Sequence, residues 1–202
     1  RIDGSSSPEV LGMTMSLRTL TLISVMALGL TGCVSLSTPD LEQSWQGRFS
    51  ISAESATNRE NHSGRFTLTH TSDVLTILDL KSPLGNTLAR ITQTPKNISL
   101  ETLGNPTIEA SDAESLLLET LGFSVPVEGL QYWIDGIPVP GSYAKTLPDK
   151  PPYRQIEQNG WLIQYENYDE SALPKRIRLQ RPNTENSPSI SILLLISNRN
   201  AS

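Results

Sequence analysis

Cysteine is all but missing: Cys33 stands alone in 202 residues. Neither an intramolecular disulfide nor a multi-cysteine metal site can therefore form. Histidine is nearly as scarce, with only His62 and His70. No third ligand falls into a metal-binding pattern with them, so both are expected as exposed polar side chains. No glycine-rich phosphate loop follows a strand, and no Gly-x-Ser-x-Gly elbow occurs. The paired carboxylates, Asp112/Glu114 and Asp169/Glu170, sit where a helix start and a turn account for them. A net charge of −5 lacks the basic excess of a nucleic-acid binder. Aromatics are only 5% of the chain, and Trp133 and Trp161 at helix or strand spacing read first as core. An enzyme is not expected, nor is a cofactor, a metal or a nucleic-acid partner.

A bilayer-spanning helix needs roughly twenty apolar residues, and the apolar stretch at residues 19–30 is about a dozen, too short to span. Preceded by Met15-Ser16-Leu17-Arg18 and followed by Leu30-Thr31-Gly32-Cys33, it has the layout of a secretory signal. The last four residues resemble the lipobox of bacterial lipoproteins. That resemblance implies a signal peptide over residues 15–32, cleavage before Cys33 and lipid on its sulfur. Val34, where an inner-membrane retention signal would carry aspartate, implies sorting to the outer membrane. Residues 1–14, ahead of a start at Met15 or Met13, read as an upstream extension. Residues 33–47 are expected as the lipidated terminus and tether, and 48–202 as a single domain. Losing Arg1, Arg18, Asp3 and Glu9 with the signal leaves the net charge at −5.

Period-two patterning dominates the rest. Phe49, Ile51 and Ala53 alternate with polar residues, as do Phe66, Leu68 and His70. Residues 58–63 between them are expected as a hairpin loop, and residues 41–45 as a helical turn. Residues 73–81 are apolar on both faces, as in a central strand, and Ser82-Pro83-Leu84-Gly85 forces a turn into a strand over 86–93. Short strands carry Ile98, Leu100 and Ile108. A helix then opens with Ser111 and Glu114 as a capping box and stops at Gly122. A second starts at Pro126 and buries Leu130, Trp133 and Ile134. Strands resume at 154–158, then at Trp161 after the hairpin signal Asn159-Gly160, then at 174–181 and 189–198. Arg176, Arg178 and Arg181 read as one solvated strand face. About ten to eleven short strands with an inserted helix pair imply a mainly β fold: an incomplete antiparallel barrel or strongly curved sheet packed by helices.

Three stretches carry a resemblance: residues 80–87 around Pro83-Leu84-Gly85, residues 110–115, and residues 121–136 with Pro126, Leu130, Gln131, Trp133, Ile134 and Gly136. They are similar to the LolB family of outer-membrane lipoprotein receptors. The resemblance implies a half-barrel closed by a helical lid around a hydrophobic cavity. It further implies receipt of acylated lipoproteins from the periplasmic carrier LolA and insertion into the outer membrane by a monomer. It makes Pro83, Leu84 and Gly85 the membrane-insertion loop, a role that exposure of a leucine alone would not establish. Candidate lining residues for the acyl cavity are Phe49, Ile51, Phe66 and Leu68 on the first two strands, Leu78 and Leu80 on the third, and Trp133 and Trp161. Patterning gives faces without saying which points inward. The final strand departs from the family in carrying Ile192, Leu193 and Leu194 where an aromatic is expected, and the tether is short. The alternatives are a lipoprotein binding another amphiphile, or a structural lipoprotein with a solid core.

Overall fold

The computed structural model describes residues 42–71, 74–150, 153–185 and 187–201. The expected signal peptide, Cys33 and the tether as far as residue 41 lie outside the described residues.

Eleven strands form one antiparallel sheet. The first half comprises β1 (Glu42–Glu54), β2 (Arg59–Thr71), β3 (Leu75–Lys81), β4 (Thr87–Gln93), β5 (Ile98–Thr102) and β6 (Ile108–Ala110). Two helices follow, α1 (Ala113–Leu121) and α2 (Val127–Trp133). The second half comprises β7 (Ala144–Lys150), β8 (Tyr153–Gln158), β9 (Trp161–Tyr168), β10 (Pro174–Arg181) and β11 (Ser189–Ala201). The spatial order is β6-β5-β4-β3-β2-β1-β11-β10-β9-β8-β7. Each half is thus a meander of local hairpins, and one long-range pairing, β1 with β11, joins them. The free edges are β6 and β7, and the chain passes from one to the other through the helices.

Alternation gives this sheet one apolar face. Rows of register partners cross it, such as Ile91–Leu78–Leu68 and Phe49–Leu194–Ile177. Two short helices cover that face of so wide a sheet because the sheet curves around them, and helix and strand residues share one buried core. Close approach is built into β1 and β2. A Cβ on Gly47 would lie 2.1 Å from the Leu195 carbonyl oxygen, and one on Gly64 would lie 1.9 Å from that of Lys81. Neither position can hold a larger residue without backbone movement. At the β8–β9 turn, Asn159 (φ 50°) and Gly160 (φ 77°) both adopt the left-handed conformation that the Asn-Gly pair foretells.

Several boundaries depart from expectation. The helical turn foreseen at residues 41–45 is extended strand from Glu42 onward, so the folded domain takes in residues placed in the tether. Trp45 explains this: paired with Leu68 on β2 and 3% exposed, it is core rather than linker. The loop foreseen at 58–63 is shorter, because Glu60 to Ser63 continue the ladder opposite β1. Its turn is closed by the Ser55 amide donating to the Asn58 carbonyl at 2.8 Å. Strand β7 was not foreseen. It contains Pro148, and an edge strand with one pairing partner tolerates a missing N–H. Helix α1 is capped by Asp112, not Ser111: the Ser115 amide donates to its carboxylate at 3.1 Å. Pro126 occupies the N-cap of α2 rather than its first helical position.

Candidate functional site

The inner face is an extended apolar surface, and the helices close over it. Val125 and Leu130 descend onto Phe49 and Ile51 of β1, Phe66 of β2, Leu78 and Leu80 of β3, and Leu179, Ile192 and Leu194 of β10 and β11. Between them remains a void of only about 10 Å³ with no polar lining. Pockets for small ligands measure roughly 300–1,000 Å³, so this void is far below ligand size and the residues around it are packed side chain to side chain.

Five of the eight expected lining residues surround that void: Phe49, Ile51, Phe66, Leu78 and Leu80. Leu68 is fully buried away from it, opposite Trp45. Trp133 and Trp161 sit elsewhere, on a separate concavity of about 410 Å³ that also meets Asp112, Glu128, Asn159 and Arg181. There Trp133 donates through Nε1 to Gln158 Oε1 at 2.8 Å. Arg181 leaves the solvated row assigned to it; its Cζ lies 4.8 Å from the Trp161 ring centroid and its guanidinium donates to Ser124 Oγ. Its strand parity, shared with buried Ile177 and Leu179, was the available signal.

Polar contacts at the rim hold the helices down. Asp135, just beyond α2, accepts from Trp45 Nε1 at 2.8 Å and from Arg199 Nε at 3.1 Å. Arg199, on β11, also donates to the carbonyls of Ile134 (3.2 Å) and Pro174 and to Asp169 Oδ2 at 3.4 Å. Across the lid, Thr76 Oγ1 donates to Gln131 Oε1 at 2.9 Å. Gln158 ties the chain after α2 to β8 by donating to the Val139 and Ser142 carbonyls. These latches join residues distant in sequence and carried no local sequence signal.

The histidines are partly buried rather than exposed. His62 stacks on Phe123 with ring centroids 4.9 Å apart, and His70 Nδ1 lies 3.0 Å from Thr76 Oγ1. Among the described residues no three metal-ligating side chains converge. Burial pushes the Tyr165 hydroxyl far above its ordinary pKa, and that hydroxyl has no hydrogen-bond partner among the described residues. At the opposite extreme Leu84 is 91% exposed at the β3–β4 turn, between exposed Pro83 and Gly85.

A family model described as outer membrane lipoprotein LolB matches residues 42–198, which is the whole half-barrel. The chain belongs to the LolB family. The outer-membrane lipoprotein LolB of Thiobacillus denitrificans is 35% identical over 179 residues, covering 84% of this chain and 94% of that one. That of Cupriavidus necator is 36% identical over 120 residues, 58% of this chain and 61% of its own. Among solved structures, a LolA superfamily protein from Nitrosomonas europaea aligns over 78% of this chain and 85% of its own, at 12% identity and a TM-score of 0.43. LolB membership assigns the outer membrane and lipoprotein localisation. Among the described residues no helix is long and apolar enough to cross a membrane.

Proposed function

We propose that this LolB-family chain accepts acylated lipoproteins from the periplasmic carrier LolA and deposits them in the outer membrane, with no catalytic step. In this reading lipid on Cys33 holds it to that membrane, facing the periplasm, and it acts as a monomer. The observation that carries the proposal is the all-apolar lining between sheet and helices, closed under a latched lid. Acyl chains enter by displacing the lid residues from the sheet, with Leu130 and Val125 lifting away from Phe49, Phe66 and Leu80.

Magnitudes make such opening feasible. Burying a methylene contributes about 0.8 kcal/mol, so a chain of a dozen or more gains on the order of 10 kcal/mol. Each hydrogen bond of the latch contributes about 1 kcal/mol net. One acyl chain is therefore comparable to the Asp135, Gln131 and Gln158 contacts together, and it re-covers the apolar faces that Val125 and Leu130 leave. Among the described residues no polar side chain lines this void, which suits cargo attached to protein by its lipid end. Leu84, exposed on a rigid turn, then serves as the tip that meets the bilayer at release.

Purified carrier loaded with an acylated lipoprotein, mixed with this chain and then with outer-membrane vesicles, tests the reading. Cargo should move from carrier to this chain and then to the vesicles. Leu84→Glu should still accept cargo and fail to deposit it. Retention of cargo by the carrier in the presence of the unmodified chain would overturn the proposal, and normal deposition by Leu84→Glu would remove the role of the tip. Binding of an apolar fluorophore without any cargo transfer would instead favour a receptor for another amphiphile.

A further inference from the structure

Leu84 has company at its end of the sheet. In an antiparallel meander β3 and β5 run in the same direction, so the β3–β4 and β5–β6 turns emerge side by side. Both turns place a leucine before a glycine of positive φ: Leu84 before Gly85 (93°) and Leu103 before Gly104 (78°). Leu103 is 80% exposed. Leu88 and Leu103 each lie one step beyond the register pair Ala89–Thr102, and Leu88 is 42% exposed. Among the described residues the only other exposed leucine is Leu195, the register partner of Arg48.

Behind this tip the outer face carries a row of cations. Lys81, the last residue of β3, is paired in register with Arg65 of β2, and Arg65 with Arg48 of β1. Like charges directly opposite one another across strands destabilise a sheet. Elsewhere on the same face the cations are paired with carboxylates in register. Arg90 donates to both oxygens of Asp79 at 2.7 and 2.9 Å, and Arg176 lies 2.6 Å from Glu166. Asp79, two residues before Lys81, is thereby taken. Among the described residues no carboxylate lies within ion-pair distance of Arg48, Arg65 or Lys81.

We infer that Leu84, Leu88 and Leu103 with Arg48, Arg65 and Lys81 form one docking patch for an anionic phospholipid surface, which sets how the half-barrel sits on the membrane. The leucines enter below the headgroups while the cations meet the phosphates. Protruding turn tips enter a fluid surface without needing matched pockets, which favours a bilayer over an acidic protein. The inference extends the proposed role of Leu84 and rests on that reading for its purpose, though not for its test. Each cation near an anionic surface is worth about fivefold in binding, so the row is worth roughly a hundredfold.

The test uses the full chain carrying Cys33→Ala, with an environment-sensitive fluorophore on Leu84→Cys or on Leu103→Cys. The protein is bound to phosphatidylcholine vesicles with or without about 30 mol% phosphatidylglycerol. Quenching by brominated lipid reports whether the labelled turn has entered, however the rest of the chain is attached. Both labels should be quenched on the anionic vesicles. In the Arg48→Gln/Arg65→Gln/Lys81→Gln variant the docked-to-undocked ratio should fall by about two orders of magnitude, and about 0.5 M salt should mimic that loss. The variant relieves repulsion, so its melting temperature should not drop. Entry of the Leu84 label while the Leu103 label stays in water would overturn the patch and leave the acceptor reading standing. Equal entry with and without phosphatidylglycerol, or undiminished entry by the variant, would overturn the role of the cations. So would normal docking by a variant that has lost binding to the carrier, since the row would then belong to a protein interface. Failure of the acceptor reading shows separately, as absence of cargo transfer in the carrier assay.

Discussion

Leu80 and Leu84 stand four residues apart at the end of β3, yet Leu80 is 5% exposed and Leu84 91%. Leu80 is carried by the strand onto the inner face, between Phe66 of β2 and Ala89 of β4. Leu84 is carried off the sheet by a turn whose glycine, at φ 93°, has nothing within 4 Å of where a Cβ would be. Burial of a leucine is worth about 1.5–3 kcal/mol, and the tip forgoes it. Leu80 is packed into the core, and Leu84 is left to solvent.

That contrast can be broken most forcefully from the inside. Trp133→Ala removes a side chain 1% exposed, together with its hydrogen bond to Gln158. It should lower unfolding stability by about 3–5 kcal/mol, read from urea denaturation. A smaller effect is expected at the rim. Asp135→Ala leaves Arg199, its side chain 16% exposed, and the Trp45 indole without their shared acceptor. It should cost about 1–3 kcal/mol and raise amide exchange in α2 ahead of exchange in β1 and β2. Equal acceleration of both would mean that Asp135 supports the whole domain and not the lid.

The tip should answer differently. Leu84→Glu or Leu103→Ser should shift stability by no more than about 0.5 kcal/mol, while deposition and membrane docking fail; a large drop in melting temperature would show the turns to be structural. Tyr165→Phe should change stability at neutral pH by under about 1 kcal/mol, because the hydroxyl it removes has no partner among the described residues. Its sign emerges in alkali. Burial raises the folded-state pKa above the unfolded value of about 10. The stabilisation is therefore complete below that value and is lost as the pH climbs from there towards the folded pKa. Urea midpoints of the unmodified chain should decline above about pH 10, and those of Tyr165→Phe should decline less.

Much of this arrangement was legible in the residues. Alternation at Phe49, Ile51, Phe66 and Leu68 marked an apolar face, Asn159-Gly160 marked its hairpin, and Pro126 and Gly136 bracketed the second helix with its buried Leu130 and Trp133. Local chemistry fixes such features: a pleat repeats every two residues, and a two-residue turn demands positive φ. Strand β7 escaped because its proline and polar residues look like loop, and only β8 holds them extended. Trp45 escaped because residues 41–45 look like a helical turn in the tether until β2 and β11 flank Trp45. Of the expected lining, Trp133 on α2 and Trp161 on β9 stand on a different concavity, since periodicity carries no information on position along the curved sheet.

Most of the strands, the two helices, the alternation of apolar and polar faces and the leucine turn were determined by the sequence alone, because each depends on neighbours within a few residues. Pairing of β1 with β11, the latch from Arg199 to Asp135, the near-closure of the interior and the alignment of Arg48, Arg65 and Lys81 were decided only by the tertiary structure. Each of those joins residues that the chain keeps well apart, and register across strands, not spacing along them, sets their distance.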